Sequence, residues 1–170
     1  MKVILIGLFF CLIAAGCSVH QAYQLQQDTT GKNIIVGEFP RSVLETDSTF
    51  AWFTAGYRSY ETEKDIIPQI AKRKNDYTFI LVLGTWCSDS KRDVPKIFKV
   101  MDLAGIQKDQ IRLFGVDRAK KGSDEVTERY AVKRVPTIIM LREGKEVGRI
   151  TEMPRETIEY DLAEMIRNDK

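Results

Sequence analysis

Residues 77–91 read YTFILVLGTWCSDSK, and the fold class follows from this stretch. Its first seven residues are almost all apolar β-formers, which is typical of a strand buried on both faces of a sheet. A Gly-Thr-Trp-Cys turn follows, and from Val94 to Leu103 apolar side chains recur at helical spacing. The stretch therefore predicts a buried strand, a sharp turn and a helix with Cys87 at its N-terminus.

The remaining patterns alternate between strands and helices. The prediction comprises further strands at residues 33–39, 49–54, 111–116, 137–141 and 147–150, and helices at 59–74, 88–103, 123–131 and 154–167. Pro154 is expected to open the last helix, and the turn at residues 143–145 joins the last two strands in a hairpin. This order predicts an α/β domain over residues 49–170, with a central mixed sheet and helices on both faces.

Two segments resemble the active-site region of thioredoxins. Residues 84–91 are similar to the family's Trp-Cys-x-x-Cys-Lys segment, and Pro95 matches its helix-kinking proline. Residues 134–137, Arg-Val-Pro-Thr, resemble the segment in which the family has a cis proline beside the active cysteine. The resemblance implies a thioredoxin fold in which Cys87 is catalytic and Trp86, Val135 and Pro136 contact the substrate.

The departure from the family pattern is Ser90, which stands where the second cysteine is expected. A serine hydroxyl cannot break a mixed disulfide, so release needs a thiol from the substrate, a small molecule or another protein. Ser90 is expected to assist Cys87 by donating a hydrogen bond to its sulfur. The helix N-terminus and nearby Lys91 or Arg92 favour the thiolate and Asp89 disfavours it, so the net effect stays open.

The N-terminus predicts export and lipidation. Lys2 precedes an apolar run over residues 3–15, as in a secretory signal. The run ends in Ala-Ala-Gly-Cys at residues 14–17, which resembles the lipobox of bacterial lipoproteins, although leucine is commonest where Ala14 stands. The resemblance implies a signal peptide at 1–16, an acylated Cys17, and a polar tether and N-terminal extension within 17–48. An ordinary signal peptide or an uncleaved anchor are the alternatives. Each places the domain in the bacterial cell envelope, facing the periplasm or the exterior.

Composition restricts the chemistry. The 26 basic and 24 acidic residues nearly cancel and form no like-charged block, so no nucleic-acid partner is predicted. Lipidation of Cys17 would leave Cys87 as the one thiol, since Cys11 belongs to the signal segment. His20 is the single histidine and lies in the predicted tether, so no metal site and no nucleophile–base pair are expected. No cofactor is predicted.

Several functions compete. The first is a membrane-tethered monothiol reductase or isomerase acting through Cys87 on exported proteins with cysteines or disulfides, with an unidentified external thiol donor. The second is a redox-inactive module that binds a protein or peptide near Pro136 and Tyr57. A glutaredoxin-like domain is disfavoured because residues 87–90 share only the ends of Cys-Gly-Phe-Ser, and a peroxidase because Gly84 replaces the required threonine. The cluster of Tyr57, Arg58 and Tyr60 either contacts substrate or covers the core.

Overall fold

A computed structural model describes residues 23–169. The strands of this part are β1 Tyr23–Gln27, β2 Asn33–Glu38, β3 Thr78–Leu83, β4 Ile111–Gly115, β5 Thr137–Arg142 and β6 Lys145–Thr151. The α-helices are α1 Ser42–Thr46, α2 Ala51–Ser59, α3 Ile67–Ala71, α4 Ser88–Leu103, α5 Asp124–Arg129 and α6 Ile158–Asn168. The helix predicted at residues 88–103 and the buried strand predicted at residues 77–83 are therefore confirmed.

The strands form one mixed sheet in the order β1-β2-β4-β3-β5-β6. Strands β3 and β4 are parallel and are connected through α4, whereas every other neighbouring pair is antiparallel. The predicted hairpin of β5 and β6 is confirmed, and it turns at Glu143 and Gly144, both with positive φ. Because β3 lies between β4 and β5, the turn that follows it emerges near the centre of the sheet.

Helices cover both faces of the sheet, as predicted. Side chains alternate along β3, so that Phe79, Leu81 and Leu83 enter one core, while Ile80 and Val82 enter the other. The first core includes buried residues of α2, α4 and α6, and the second is closed by α5 and its neighbours. This arrangement buries helix α4, whose N-cap is Cys87, along its apolar side and leaves its N-terminus at the C-terminal end of the central strand β3.

The strand predicted at residues 49–54 is wrong. A 3-10 turn at Ser48–Phe50 and helix α2 occupy this segment. The aromatic residues that suggested a strand, Phe50 and Phe53, follow a helical spacing that continues to Tyr57, and this face packs into the core.

Three predicted helices are shorter than expected, and the one predicted at residues 123–131 spans Asp124–Arg129. Of residues 59–74, Ser59 is the last residue of α2 and Ile67–Ala71 forms α3. Helix α6 begins at Ile158, and Thr157 caps it by accepting a hydrogen bond from Tyr160 N at 3.2 Å. Pro154 therefore does not open the last helix.

The polar tether predicted from Ser18 to about Asn33 is wrong for residues 23–33. There, β1 and the start of β2 belong to a hairpin within the main sheet. The folded domain thus includes residues well before the expected start at residue 49. The predicted signal peptide, His20 and the predicted lipidation site Cys17 lie outside the described residues. Within residues 23–169, no helix is both long and apolar enough to cross a membrane.

Candidate active site

Cys87 stands at the N-terminus of α4 and faces the proline turn. Its backbone N–H donates to Gly84 O at 2.8 Å, which closes the turn after β3. Its side chain is half-buried, and the thiol donates to Val135 O with 3.4 Å between Sγ and the oxygen. The Val135–Pro136 peptide bond is cis, as the resemblance implied. The structure therefore brings together Cys87, Val135 and Pro136.

The helix end beside Cys87 is well placed to stabilise negative charge. Helix α4 runs for 16 residues, and no side chain caps it at its N-terminus. The first N–H groups of an α-helix lack acceptors within the helix and carry partial positive charge. A thiolate at Cys87 would lie next to these groups.

Ser90 is placed differently from expectation. Its side chain is fully buried, and Ser90 Oγ accepts a hydrogen bond from Gly84 N at 3.3 Å. The hydrogen bonds of these two described residues go to other partners: Ser90 bonds to Gly84, and Cys87 Sγ bonds to Val135 O. The predicted assistance to the sulfur is therefore replaced by a structural contact that holds the end of β3 against α4.

Trp86 is held against the loop that follows β4. Its Nε1 donates to Val116 O at 2.8 Å, and a Cβ added at Gly84 would lie only 2.6 Å from its ring. The guanidinium of Arg118 lies 5.0 Å from the ring centroid, and the Lys120 ammonium lies 5.8 Å away. The half-buried indole thus keeps part of its surface accessible beside Cys87, in a basic setting.

The charges in the first turns of α4 are largely paired. Arg92 contacts Asp89 at 2.7 Å and the buried Asp93 at 2.5 Å, and Lys96 contacts Asp93 at 3.0 Å. The hydrogen bonds from Arg92 to Asp93 raise the pKa of the guanidinium. Asp89 and Arg92, which sequence reasoning expected to act on Cys87 in opposite directions, therefore largely offset one another. Lys91 has no ion-pair partner within residues 23–169.

The β1–β2 hairpin forms a wall beside the site, and sequence reasoning missed it. Only Gly37 and Glu38 of β2 pair with β4, so the rest of the hairpin extends past the end of β4. There Thr85 Oγ1 accepts a hydrogen bond from Ile35 N at 3.1 Å, and Asp28 pairs with Arg118 at 2.7 Å. The available signal was the turn sequence DTTGK at residues 28–32, in which an aspartate accepts backbone hydrogen bonds.

A cavity of about 220 Å³ lies between this hairpin and α4, and we call it the Trp86 pocket. Its lining combines aromatic rings, hydroxyl groups and two lysines: Lys32, Asn33, Thr49, Phe50, Trp52, Thr85, Trp86 and Lys91. Trp86, which lines the pocket, directly precedes Cys87 in the chain.

Tyr57 and Tyr60 cover the core. Tyr57 OH donates to Asp102 at 2.8 Å, and Tyr60 OH donates to the buried carboxylate of Glu159 at 2.9 Å. Burial and these carboxylates raise the pKa of both tyrosines. Both side chains are thus engaged in packing, while Arg58 is exposed.

The chemistry available at this site is that of one thiol. Cys87 is the single cysteine of residues 23–169, where no cluster of histidine, cysteine, aspartate and glutamate side chains is arranged to hold a metal. The fold, the helix-tip cysteine and the facing proline turn define the class of thioredoxin-fold proteins, with one cysteine at the helix tip within residues 23–169.

The family follows from sequence comparison. The family described as Thioredoxin matches residues 41–165, and the chain therefore belongs to this family. The match begins after the β1–β2 hairpin. The family and the fold support a thiol or redox function in general terms. No curated protein matches the chain.

Solved structures are similar to this chain at low identity, and the first two below share its fold. A protein of unknown function from Pseudomonas aeruginosa is 15% identical, with a TM-score of 0.57 over 85% of this chain and 93% of that chain. An HIV epitope-scaffold is 16% identical, with a TM-score of 0.58 over 78% and 93%. Thioredoxin from Fasciola hepatica is 22% identical, with a TM-score of 0.40 over 62% and 92%.

Proposed function

We propose that this protein is a membrane-tethered monothiol exchanger that reduces or isomerises disulfides of exported proteins through Cys87. The observation that carries the proposal is the position of the sulfur. Cys87 is half-buried at the uncapped end of a 16-residue helix, and its Sγ lies 3.4 Å from Val135 O. A fully buried thiol would leave no approach for a second sulfur.

The proposed reaction begins with attack on a substrate disulfide. The Cys87 thiol loses its proton to solvent, and the thiolate attacks one sulfur of R–S–S–R′. A bond forms between Cys87 Sγ and the sulfur of R, the old disulfide breaks, and R′ leaves as a thiolate that takes up a proton. No electron leaves the pair of reactants, because one disulfide replaces another.

Release then needs a thiol in place of the missing second cysteine. In isomerisation, another cysteine thiolate of the same substrate attacks the mixed disulfide, forms a new substrate disulfide and frees Cys87. In reduction, one external thiol releases R as a thiol and remains attached to Cys87, and a second external thiol frees Cys87 and leaves an external disulfide. Both schemes balance without a second thiol in the protein.

The main test compares the wild type with Cys87→Ser. A substrate with scrambled disulfides is incubated with a small thiol, and the recovery of its native disulfides is followed by mass spectrometry. We expect the wild type to accelerate recovery and Cys87→Ser to match the reaction without protein. In cells, disulfide-linked adducts should form with the wild type and be lost in Cys87→Ser. Equal recovery rates for the two proteins, with no adducts, would reject the proposal.

The proposed location rests on the sequence before Tyr23. If Cys17 is acylated, six chain steps separate the lipid from Tyr23, a reach of at most about 20 Å. The lipid would then hold the active-site domain close to the membrane surface. The test is mass spectrometry of the mature N-terminus. We expect a diacylated or triacylated Cys17 and loss of membrane association in Cys17→Ser, whereas an unmodified N-terminus elsewhere would contradict lipidation.

A redox-inactive binding module is the second candidate, and Ser90 favours it. Ser90 occupies the position of the second cysteine, and its hydroxyl accepts a hydrogen bond from Gly84 N. This residue therefore has a structural role in place of a redox role. If Cys87→Ser captures the same partners and supports the same cellular phenotype as the wild type, the module is the better description.

A further inference from the structure

The Trp86 pocket has a basic rim and aromatic walls. Lys32 comes from the end of the β1–β2 turn and Lys91 from the first turns of α4, while Trp52 and Trp86 contribute indole rings. Lys32 is exposed and Lys91 half-buried, and both belong to the lining. We propose that this pocket accepts an acidic side chain of the polypeptide that reacts with Cys87, an inference that rests on the proposed function.

The charge of the pocket is positive because its lysines are unpaired and the nearby carboxylates are engaged elsewhere. Neither lysine ammonium has an ion-pair partner within residues 23–169. Asp28 pairs with Arg118, and Asp89 pairs with Arg92. Asp47 accepts a hydrogen bond from Thr49 N at 2.9 Å, and it is not among the residues that line the pocket. A carboxylate is the complementary group.

The shape of the pocket favours a side chain with both an apolar and a charged part. The rings of Phe50, Trp52 and Trp86 offer apolar surface, while the lysines and Asn33 offer hydrogen-bond donors. A glutamate or aspartate side chain combines an aliphatic stem with a terminal carboxylate. The volume of about 220 Å³ is sufficient for one such side chain.

The position of the pocket relates it to the reacting cysteine. Trp86 lines the pocket and is the neighbour of Cys87 in the chain. A bound polypeptide advances about 3.3 Å per residue when extended. We therefore expect the acidic residue within about three positions of the substrate cysteine. The hairpin wall lies outside the region matched to the family, so this preference would be a property of this chain.

The test measures selectivity between matched peptides. Each peptide contains one cysteine activated as a mixed disulfide with thionitrobenzoate, and a single Glu or Gln at one of the positions from three before to three after that cysteine. Release of the coloured thiol gives the rate of exchange with the reduced protein. At low salt, we expect the best Glu peptide to react about three-fold faster than its Gln partner. The advantage should shrink at about 0.5 M salt because free ions screen the lysines.

Variants assign the preference to the pocket. Lys32→Gln and Lys91→Gln should each lower the Glu-to-Gln rate ratio, and the double variant should bring it close to one. Lys145→Gln is the matched control, because Lys145 is exposed on β6 and should leave the ratio unchanged. The ratio is the decisive quantity, since Lys91 also lies near Cys87 and its loss can change the rates of both peptides equally.

Failure of this inference is distinguishable from failure of the proposed function. The proposed role of the pocket is rejected if Glu and Gln peptides exchange at equal rates at low salt. It is also rejected if the preference for Glu persists in the double variant. In both cases exchange itself continues, so the proposed function stands. If no peptide exchanges, the proposed function fails. In that case the pocket is tested separately with the Cys87→Ser variant. Tryptophan fluorescence measures the noncovalent binding of peptides in which serine replaces the cysteine. Tighter binding of the Glu peptide, lost in the double lysine variant, supports the pocket, and equal binding rejects it.

Discussion

Thr85 Oγ1 accepts a hydrogen bond from the backbone N–H of Ile35, with 3.1 Å between the two atoms. Both residues are buried, and they lie 50 positions apart in the chain. This contact fastens the N-terminal hairpin to the turn that presents Cys87. Because the hairpin forms one wall of the Trp86 pocket, the geometry of the site depends on a segment outside the region matched to the family.

Replacing Thr85 with valine should destabilise the domain by about 1–3 kcal/mol, because the buried N–H of Ile35 would lose its acceptor. Urea unfolding gives the free energy, and hydrogen exchange should show faster exchange at the Ile35 amide. Thr85→Ser is the matched control, since it keeps the hydroxyl and should retain the protection of that amide. A Thr85→Val protein as stable as Thr85→Ser would contradict this account.

Gly115→Ala should separate the hairpin from the sheet. A Cβ at this position would lie 2.4 Å from Ile35 O, and backbone on both sides leaves little room for adjustment. Forcing a methyl group into such a contact should cost about 1–3 kcal/mol in the free energy of unfolding. The measurement is urea unfolding together with hydrogen exchange of β2. If Gly115→Ala leaves the free energy of unfolding unchanged, β2 can move away from β4 without cost, which would contradict this prediction.

Ser90→Cys should restore an intramolecular dithiol. Positions 87 and 90 occupy the N-cap and first turn of α4, the spacing of the family's two cysteines. After mild oxidation, peptide mapping should find a disulfide between them, and the protein should complete reduction cycles without an external resolving thiol. The reduced variant should lose about 1 kcal/mol of stability, because sulfur is a weaker acceptor for Gly84 N.

Ser88→Cys is the control for this prediction. Ser88 is exposed and adjacent to Cys87 in the chain, so a thiol there should form mixed disulfides with small thiols in place of an internal bond. If Ser90→Cys forms no internal disulfide, the first turn of α4 does not hold the two sulfurs as inferred.

Tyr77 should make the protein less stable in strong alkali. Burial and a hydrogen bond from its hydroxyl to Asp169 Oδ2, at 2.9 Å, raise the pKa of Tyr77 to about 12. An unfolded tyrosine ionises near pH 10, while the folded one keeps its proton, so the unfolded state binds fewer protons between these values. The free energy of unfolding should therefore be unaffected by this group below pH 10 and fall by about 2 kcal/mol as the pH rises to 12.

Tyr77→Phe isolates this contribution, because Tyr57 and Tyr60, whose pKa values are also raised, keep their effect of the same sign. We expect the variant to start at lower stability and to lose less of it between pH 10 and 12. Parallel pH profiles for the two proteins, measured by urea unfolding, would show that Tyr77 titrates normally.

The predicted bounds of helices and strands agree best with the structure where the sequence pattern indicates directly which side chains are buried. Helix Ser88–Leu103 has the predicted bounds because its apolar side chains repeat at helical spacing along one buried side. Strand Thr78–Leu83 was recognisable because nearly every side chain in it enters a core. In both cases the local pattern and the tertiary environment require the same structure.

The errors arose where local pattern and tertiary packing diverge. Strand β1 has only five residues and is almost entirely exposed, so its sequence shows no sustained apolar period, and its place depends on backbone pairing with β2. Residues 49–54 looked like a strand because aromatic residues favour strands in short windows. Their helical spacing becomes evident only when Tyr57 is included, and α2 then packs its aromatic face against α4.

Three features could be predicted from residue patterns alone: the alternation of buried strands and helices, the cysteine at the start of α4 and the serine in place of a second thiol. These features depend on residues that are close in the chain, so spacing and residue type suffice to recognise them. Three further features became evident from the packing of the elements: Cys87 Sγ faces Val135 O, Ser90 bonds to Gly84, and a hairpin completes the Trp86 pocket. Such contacts join residues from separate elements, and their distances follow from how the sheet and helices pack.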